Sequence, residues 1–212
     1  MSRIFLLATG IAVMSQGAFA QTWTEVGDAG ELVGTHQDTL GTGAMTTILG
    51  NLAVNTDAVD MYCIDIRDPL TFSATSSSPS TPLWLFDLNG NGVTSQEGYY
   101  LTTPSKITGS FVQTAGIYYL AISMHDTLAY NSSSLDIWNN APRSVETIPN
   151  GVGAPGPLAS WSAFGAVLGA GPYTITLTGT DYGNCMVPEP GSVAFLAGLV
   201  ALGFASRRSR RR

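Results

Sequence analysis

Asp60-Met61-Tyr62-Cys63-Ile64-Asp65-Ile66 alternates residue by residue and sets Tyr62, Ile64 and Ile66 on one face of an extended chain. A period of two marks a β-strand with one face on a core. Asp68-Pro69 stops the run, and Leu70-Thr71-Phe72-Ser73-Ala74 opens the next predicted strand. Working outward, period-two patterning dominates residues 45–123, and Gly116 to Ile122 alternates again with Tyr118, Leu120 and Ile122 inward. Leu83-Trp84-Leu85-Phe86 is apolar on both faces, as expected of a central strand beneath a further layer. Towards the C-terminus Tyr173, Ile175 and Leu177 face one way and Thr174, Thr176 and Thr178 the other. Ser76 to Pro82 is a connection, Pro149 to Pro157 is a long loop, and no stretch of the mature domain carries a helical period, the C-terminal transmembrane sorting helix being read separately. Many short strands joined by Gly, Pro and Ser predict an all-β fold, a β-sandwich.

Both ends of the chain read as processing segments. Arg3 followed by the apolar run Ile4 to Val13 and by Ala18-Phe19-Ala20 is the pattern of a signal peptide over residues 1–20, cleaved between Ala20 and Gln21. At the other end Val187-Pro188-Glu189-Pro190 precedes an uncharged stretch from Gly191 to Ser206, then Arg207, Arg208, Arg210, Arg211 and Arg212. The stretch falls short of the roughly 20 residues that cross a bilayer untilted, but flanking arginines snorkel and the bilayer thins to meet a short span. The basic cap places the C-terminus on the cytoplasmic side and the body of the protein outside. A single domain over residues 21–186 remains, large enough for a real core.

The tail over residues 187–212 resembles the PEP-CTERM sorting signal, read by a membrane protease called exosortase. That resemblance implies an exported protein, an inner-membrane-anchored precursor, and delivery to the cell envelope or extracellular matrix. It also implies the export translocon and exosortase as partners, and association with bacteria that make exopolysaccharide and biofilm. Separately, Asp60 to Ile66, Leu83 to Gly90 and Ala115 to Ile122, taken in order, are similar to bacterial pre-peptidase C-terminal domains. This second resemblance implies a jelly-roll-like antiparallel β-sandwich.

Charge excludes some partners. The whole chain carries a net charge of −6, but its arginines are concentrated in the two processing segments. Between Gln21 and Pro188 the basic residues are Arg67, Lys106 and Arg143, against 14 Asp and Glu, which leaves the domain near −11. Such a field repels nucleic acid and anionic lipid. Cys63 and Cys185, the only 2 cysteines of an exported chain, are expected to form one disulfide.

Asp87-Leu88-Asn89-Gly90-Asn91-Gly92 is the strongest candidate ligand site. Oxygen side chains at Asp87, Asn89 and Asn91 match the first half of a calcium loop, but the twelfth position is Gly98 and Glu97 falls one residue short. The flanks read as strands, so an EF-hand is rejected. A plain hairpin turn and a turn that also binds calcium, with Glu97 as the nearest further acid, both remain open. His36 and His125 are the only 2 histidines. His125-Asp126 has no nucleophile elbow beside it, so no catalytic residue is assigned. Trp23, Trp138 and Trp161 are loop-placed candidates for a sugar platform, and Trp84 is assigned to the core.

The expectation is a non-enzymatic exported envelope or matrix protein of structural, adhesive or exopolysaccharide-associated role. A small secreted hydrolase and a calcium-dependent carbohydrate-binding module are the alternatives.

Overall fold

The computed structural model describes residues 21–98, 102–139, 144–163 and 168–185. The signal peptide at 1–20, its Ala20 side of the cleavage site, the sorting tail at 187–212 with its apolar span, and Arg143 lie outside the described residues. The described residues are all-β, with one 3-10 turn at Gly109–Phe111. In chain order the strands are β1 (Thr22–Thr24), β2 (Gln37–Asp38), β3 (Thr47–Leu52), β4 (Val59–Ile66), β5 (Ser73–Ser76), β6 (Leu83–Phe86) and β7 (Gly92–Gln96). They continue with β8 (Lys106–Thr108), β9 (Gly116–Ser123), β10 (Thr127–Asn131), β11 (Leu158–Ala163), β12 (Gly171–Thr178) and β13 (Thr180–Tyr182).

Two larger sheets share one core. The first runs β1-β3-β12-β5-β8, the second β13-β4-β9-β6-β7 with β2 added beside β4, and β10 pairs with β11 as a separate ribbon. Ile48, Leu52, Ala74, Ile107, Tyr173, Ile175 and Leu177 of the first sheet pack into one buried cluster with Tyr62, Ile64, Ile66, Leu83, Leu85, Leu120 and Ile122 of the second. The alternation read along β4, β9 and β12 therefore points to the space between these two sheets.

The opposite face of the second sheet is also covered. Met61, Cys63, Trp84, Phe86, Tyr119 and Ala121 pack against Ala129, Ile137, Trp138 and Leu158, contributed by the ribbon and its loops. This third layer explains why Leu83–Phe86 is apolar at every position: all four residues are buried. It also buries β4 on both faces from Val59 to Ile64.

Two details differ from expectation. Pairing is not wholly antiparallel, because β1 lies parallel to β3 and β2 parallel to β4. Both exceptions come from the first segment of the domain, which reaches one sheet and then crosses to the other. Leu70 is 97% exposed and belongs to a turn. The Asp68 carboxylate accepts from the Leu70 N–H at 3.0 Å and from Thr71 Oγ1 at 2.8 Å. Such a side-chain-held turn competes with strand pairing, and β5 starts only at Ser73.

Candidate functional site

The densest unsatisfied chemistry among the described residues lies where β3 turns into β4. The turn closes with Ala53 bridged to Asp57 and Asn55 in the left-handed region at φ 67°, a conformation asparagine tolerates. The corner carries the chain from the first sheet to the second, with Asp57 at its end and Asp60 one residue into β4. Asp60 shares the parity of Tyr62, Ile64 and Ile66, so the alternation that builds the core also drives this carboxylate inward. It is 0% exposed.

One carboxylate oxygen of Asp60 is satisfied. Tyr173 on β12 donates its hydroxyl to Asp60 Oδ2 at 2.6 Å, and the Tyr62 and Tyr173 hydroxyls lie 2.6 Å apart, the Tyr62 proton completing the chain. The other oxygen, Oδ1, is buried with no N–H or hydroxyl donor, as is Asp57 Oδ1, and the two carboxyls can hydrogen-bond each other only when one of them is protonated. Glu25, just beyond β1, brings a third carboxylate: Oε1 accepts from Ala29 N–H at 3.2 Å and Oε2 from Asn51 N–H at 2.8 Å. Glu25, Asp57 and Asp60 each present an oxygen within 4.8 Å of the others.

Gly50 makes this convergence possible. A Cβ at that position would collide with the Tyr173 hydroxyl and stand 2.7 Å from Glu25 Oε2. The glycine is there for space: two polar groups occupy the volume its side chain would fill.

The electrostatics follow from the geometry. Burial pushes the Asp60 carboxyl up to about 8, against the lowering effect of the Tyr173 hydrogen bond, and the charges of Asp57, Glu25 and Asp28 add to the rise. Asp57 is pushed up to about 6 by burial, then by Asp28 and Glu25, against the lowering effect of a side-chain hydrogen bond with Asp60. The two carboxyls titrate as a pair, because ionising one raises the cost of ionising the other. Burial likewise pushes both tyrosine hydroxyls upward, with neighbouring Asp60 adding to the effect. Both hydroxyls therefore stay protonated and serve as donors.

The loop favoured by its sequence is arranged differently. Asp87 Oδ1 accepts from the N–H groups of Asn89 at 2.8 Å and Asn91 at 2.9 Å, and Oδ2 from the Asn91 side-chain amide at 3.0 Å. With Gly90 at φ 80°, this is a turn held by its own aspartate. Glu97 does not join it. β6 and β7 pair from Leu83 against Gln96 to Phe86 against Gly92, so Asp87 and Glu97 stand at opposite ends of the hairpin. A five-residue strand spans about 17 Å. Glu97 instead meets His125, whose Nε2 lies 3.5 Å from Glu97 Oε1 and whose Nδ1 lies 3.1 Å from Asp126 Oδ2. The tetrad Asp87, Asn89, Asn91 and Glu97 is thus not assembled, for a plain topological reason.

The remaining candidates have structural settings. His36 sits between the Val33 carbonyl, 2.7 Å from Nδ1, and Asp38 Oδ1, 3.1 Å from Nε2. Trp23 lies in β1 and donates to Gln37; Trp138 is buried edge-on to Trp84; Trp161 lies in β11 and donates to the Glu31 carbonyl. An open sugar platform built from these three is not formed.

Cys63 on β4 is disulfide-bonded to Cys185, across a sequence separation of 122. The same segment is held by non-covalent bonds: Gly183 N–H donates to Thr39 Oγ1, and Cys185 N–H to Asp38 Oδ1, each at 2.8 Å. The described part of the chain ends at Cys185, two residues before the Val187-Pro188-Glu189-Pro190 motif. Residues 187–212 match the family described as the PEP-CTERM protein-sorting motif. The match is confined to the tail. It identifies the chain as an exported protein sorted to the cell envelope, with exosortase, a membrane enzyme, as the processing partner. No curated protein matches the chain. Among the described residues no helix is long and apolar enough to cross a membrane.

The sequence reading missed Glu25, Gly50, Asp57 and Tyr173 as a group. One signal was present: Asp60 in phase with three core residues and three positions after another aspartate. Glu25, Gly50 and Tyr173 carried no such mark.

Proposed function

We propose that this chain is a non-enzymatic protein of the cell envelope or extracellular matrix, whose β domain serves a structural or adhesive role or associates with exopolysaccharide. The observation that carries this reading is the sorting motif at 187–212, which begins two residues after the disulfide-bonded Cys185. The order of events is export, cleavage after Ala20, insertion of 191–206 with the five arginines on the cytoplasmic side, and exosortase processing near Pro188-Glu189-Pro190. Prolines cannot be drawn into the following helix beyond its first turn, so they keep the motif extended and accessible. The jelly-roll-like β-sandwich and the similarity to pre-peptidase C-terminal domains belong to this reading. Two sheets over a shared core are compatible with both.

Replacing Pro188-Glu189-Pro190 by three alanines is expected to leave an unprocessed, membrane-retained form. An intact Arg212 on the mature wild-type protein, read by mass spectrometry, would overturn the processing step. A hydrolase is the second reading, favoured by the grouping of Glu97, just after β7, with His125 and Asp126 from the connection between β9 and β10. A panel of glycosidase, esterase and peptidase substrates separates the two. Turnover that disappears in His125→Ala would replace the non-enzymatic reading.

A further inference from the structure

We propose that Glu25, Asp57 and Asp60 form a divalent-cation site of the class that takes calcium, tying the N-terminal segment of the mature domain to the corner between the two sheets. Three carboxylates converging within 4.8 Å repel one another once ionised, and either protonation or a cation between them relieves that repulsion. Convergence alone does not define a site. The further observation is Asp60 itself: a fully buried side chain whose Oδ1 receives no N–H or hydroxyl donor, beside Asp57 Oδ1, which receives none either, so that only a proton shared between them or a cation satisfies both. A buried carboxylate oxygen lacking a donor is costly, and a bound cation is one of the few ligands that satisfies several at once.

Among the described residues no basic side chain is paired with this corner. Asp60 and Asp57 feel Glu25 and Asp28, Asp57 also feels Glu31, and Tyr62 and Tyr173 contribute neutral hydroxyls. Of the described basic side chains, Arg67 pairs with Asp65 and Asp181, and Lys106 lies on β8 at the opposite edge of the first sheet from β1. The donor set consists of oxygens, which suits hard cations and not zinc or copper. Calcium accepts irregular oxygen geometry and several carboxylates, whereas magnesium demands a near-ideal octahedron and keeps its waters. Gly50 supports the assignment, because its missing side chain admits Glu25 and Tyr173 to the same corner.

The site joins three parts of the chain. Glu25 follows β1, Asp57 closes the corner turn, and Asp60 begins β4, with Tyr173 of β12 behind it. A cation there would cross-link a segment close to the mature N-terminus to both sheets. Extracellular calcium modules fill at about 10⁻⁴–10⁻³ M, so the cross-link would form after export, where calcium is plentiful.

The test uses the full chain purified in detergent, with calcium, magnesium or EDTA, and terbium as a luminescent probe excited through nearby tyrosine. Calcium at ten times its dissociation constant is expected to raise Tm by about 3–5 °C. Magnesium is expected to do less, and calcium should quench terbium emission competitively. Asp57→Asn and Asp60→Asn are expected to remain folded in EDTA and to lose both the shift and the emission. If Asp60→Asn does not fold, Asp57→Asn, on the turn, decides alone. Asp87→Ala is expected to keep both signals. The proposal fails if about 10 mM calcium, well above the range of extracellular modules, moves neither Tm nor emission. It fails equally if Asp57→Asn keeps the shift, or if Asp87→Ala alone abolishes it.

Discussion

Two acidic turns, the Asp87 loop and the Asp57–Asp60 corner, look opposite in sequence and in structure. The first advertises a ligand site, with oxygen side chains at alternate positions and glycines between them, yet its aspartate is fully occupied by its own loop. The second reads as an unremarkable turn leading into a strand, yet it leaves two buried carboxylate oxygens without donors. A sequence pattern reports which groups a loop contains. What those groups are free to bind depends on which donors the backbone has already given them.

The largest test of this contrast is pH. Asp60 and Asp57 have folded-state values raised to about 8 and about 6. The protonated forms favour folding, so their stability contribution is complete below the unfolded carboxylate range and is lost as pH climbs through the raised values. In EDTA, thermal unfolding is expected to fall by on the order of 10 °C between pH 5 and pH 8. Asp60→Asn should flatten that slope, and Asp87→Asn should leave it unchanged. A wild-type Tm that is level over this range would remove the distinction between the two turns.

Tyr173→Phe sharpens it next. Deleting the hydroxyl leaves Asp60 with no donor and Tyr62 with an unused one, and is expected to cost about 2–3 kcal/mol in urea unfolding. The loss should shrink in Tyr173→Phe/Asp60→Asn, where the carboxyl that the hydroxyl serves is gone. Additive losses would show that the hydroxyl and the carboxylate act independently.

Gly50→Ala comes third. The added methyl collides with Tyr173 and crowds Glu25, and overpacking of this kind costs about 1–3 kcal/mol. A neutral result would mean that the corner has room to spare. The smallest effect is expected from Asp87→Ala, about 1 kcal/mol, the size of a lost side-chain cap on a turn. A loss as large as that of Tyr173→Phe would erase the contrast between the two turns.

Much of this molecule is legible in its residues alone. Alternation along Asp60–Ile66, Gly116–Ile122 and Tyr173–Thr178 determined strands and the faces they bury, because a pleated chain puts every second side chain on one side. The apolar run Leu83–Phe86 announced a covered central strand, and the tail motif with its arginines determined where the protein is sent. These are local signals, carried by neighbouring residues. The tertiary structure decided everything that required distant segments to meet. It crossed the first segment between sheets in parallel register, separated Glu97 from Asp87 by the length of a hairpin, and buried Trp138 instead of exposing it. It also brought Glu25, Gly50, Asp60 and Tyr173 to one corner. Residues on four separate stretches, among them a glycine whose contribution is an absence, leave no periodic trace in a sequence. Only the packing of two sheets places them within reach of one another.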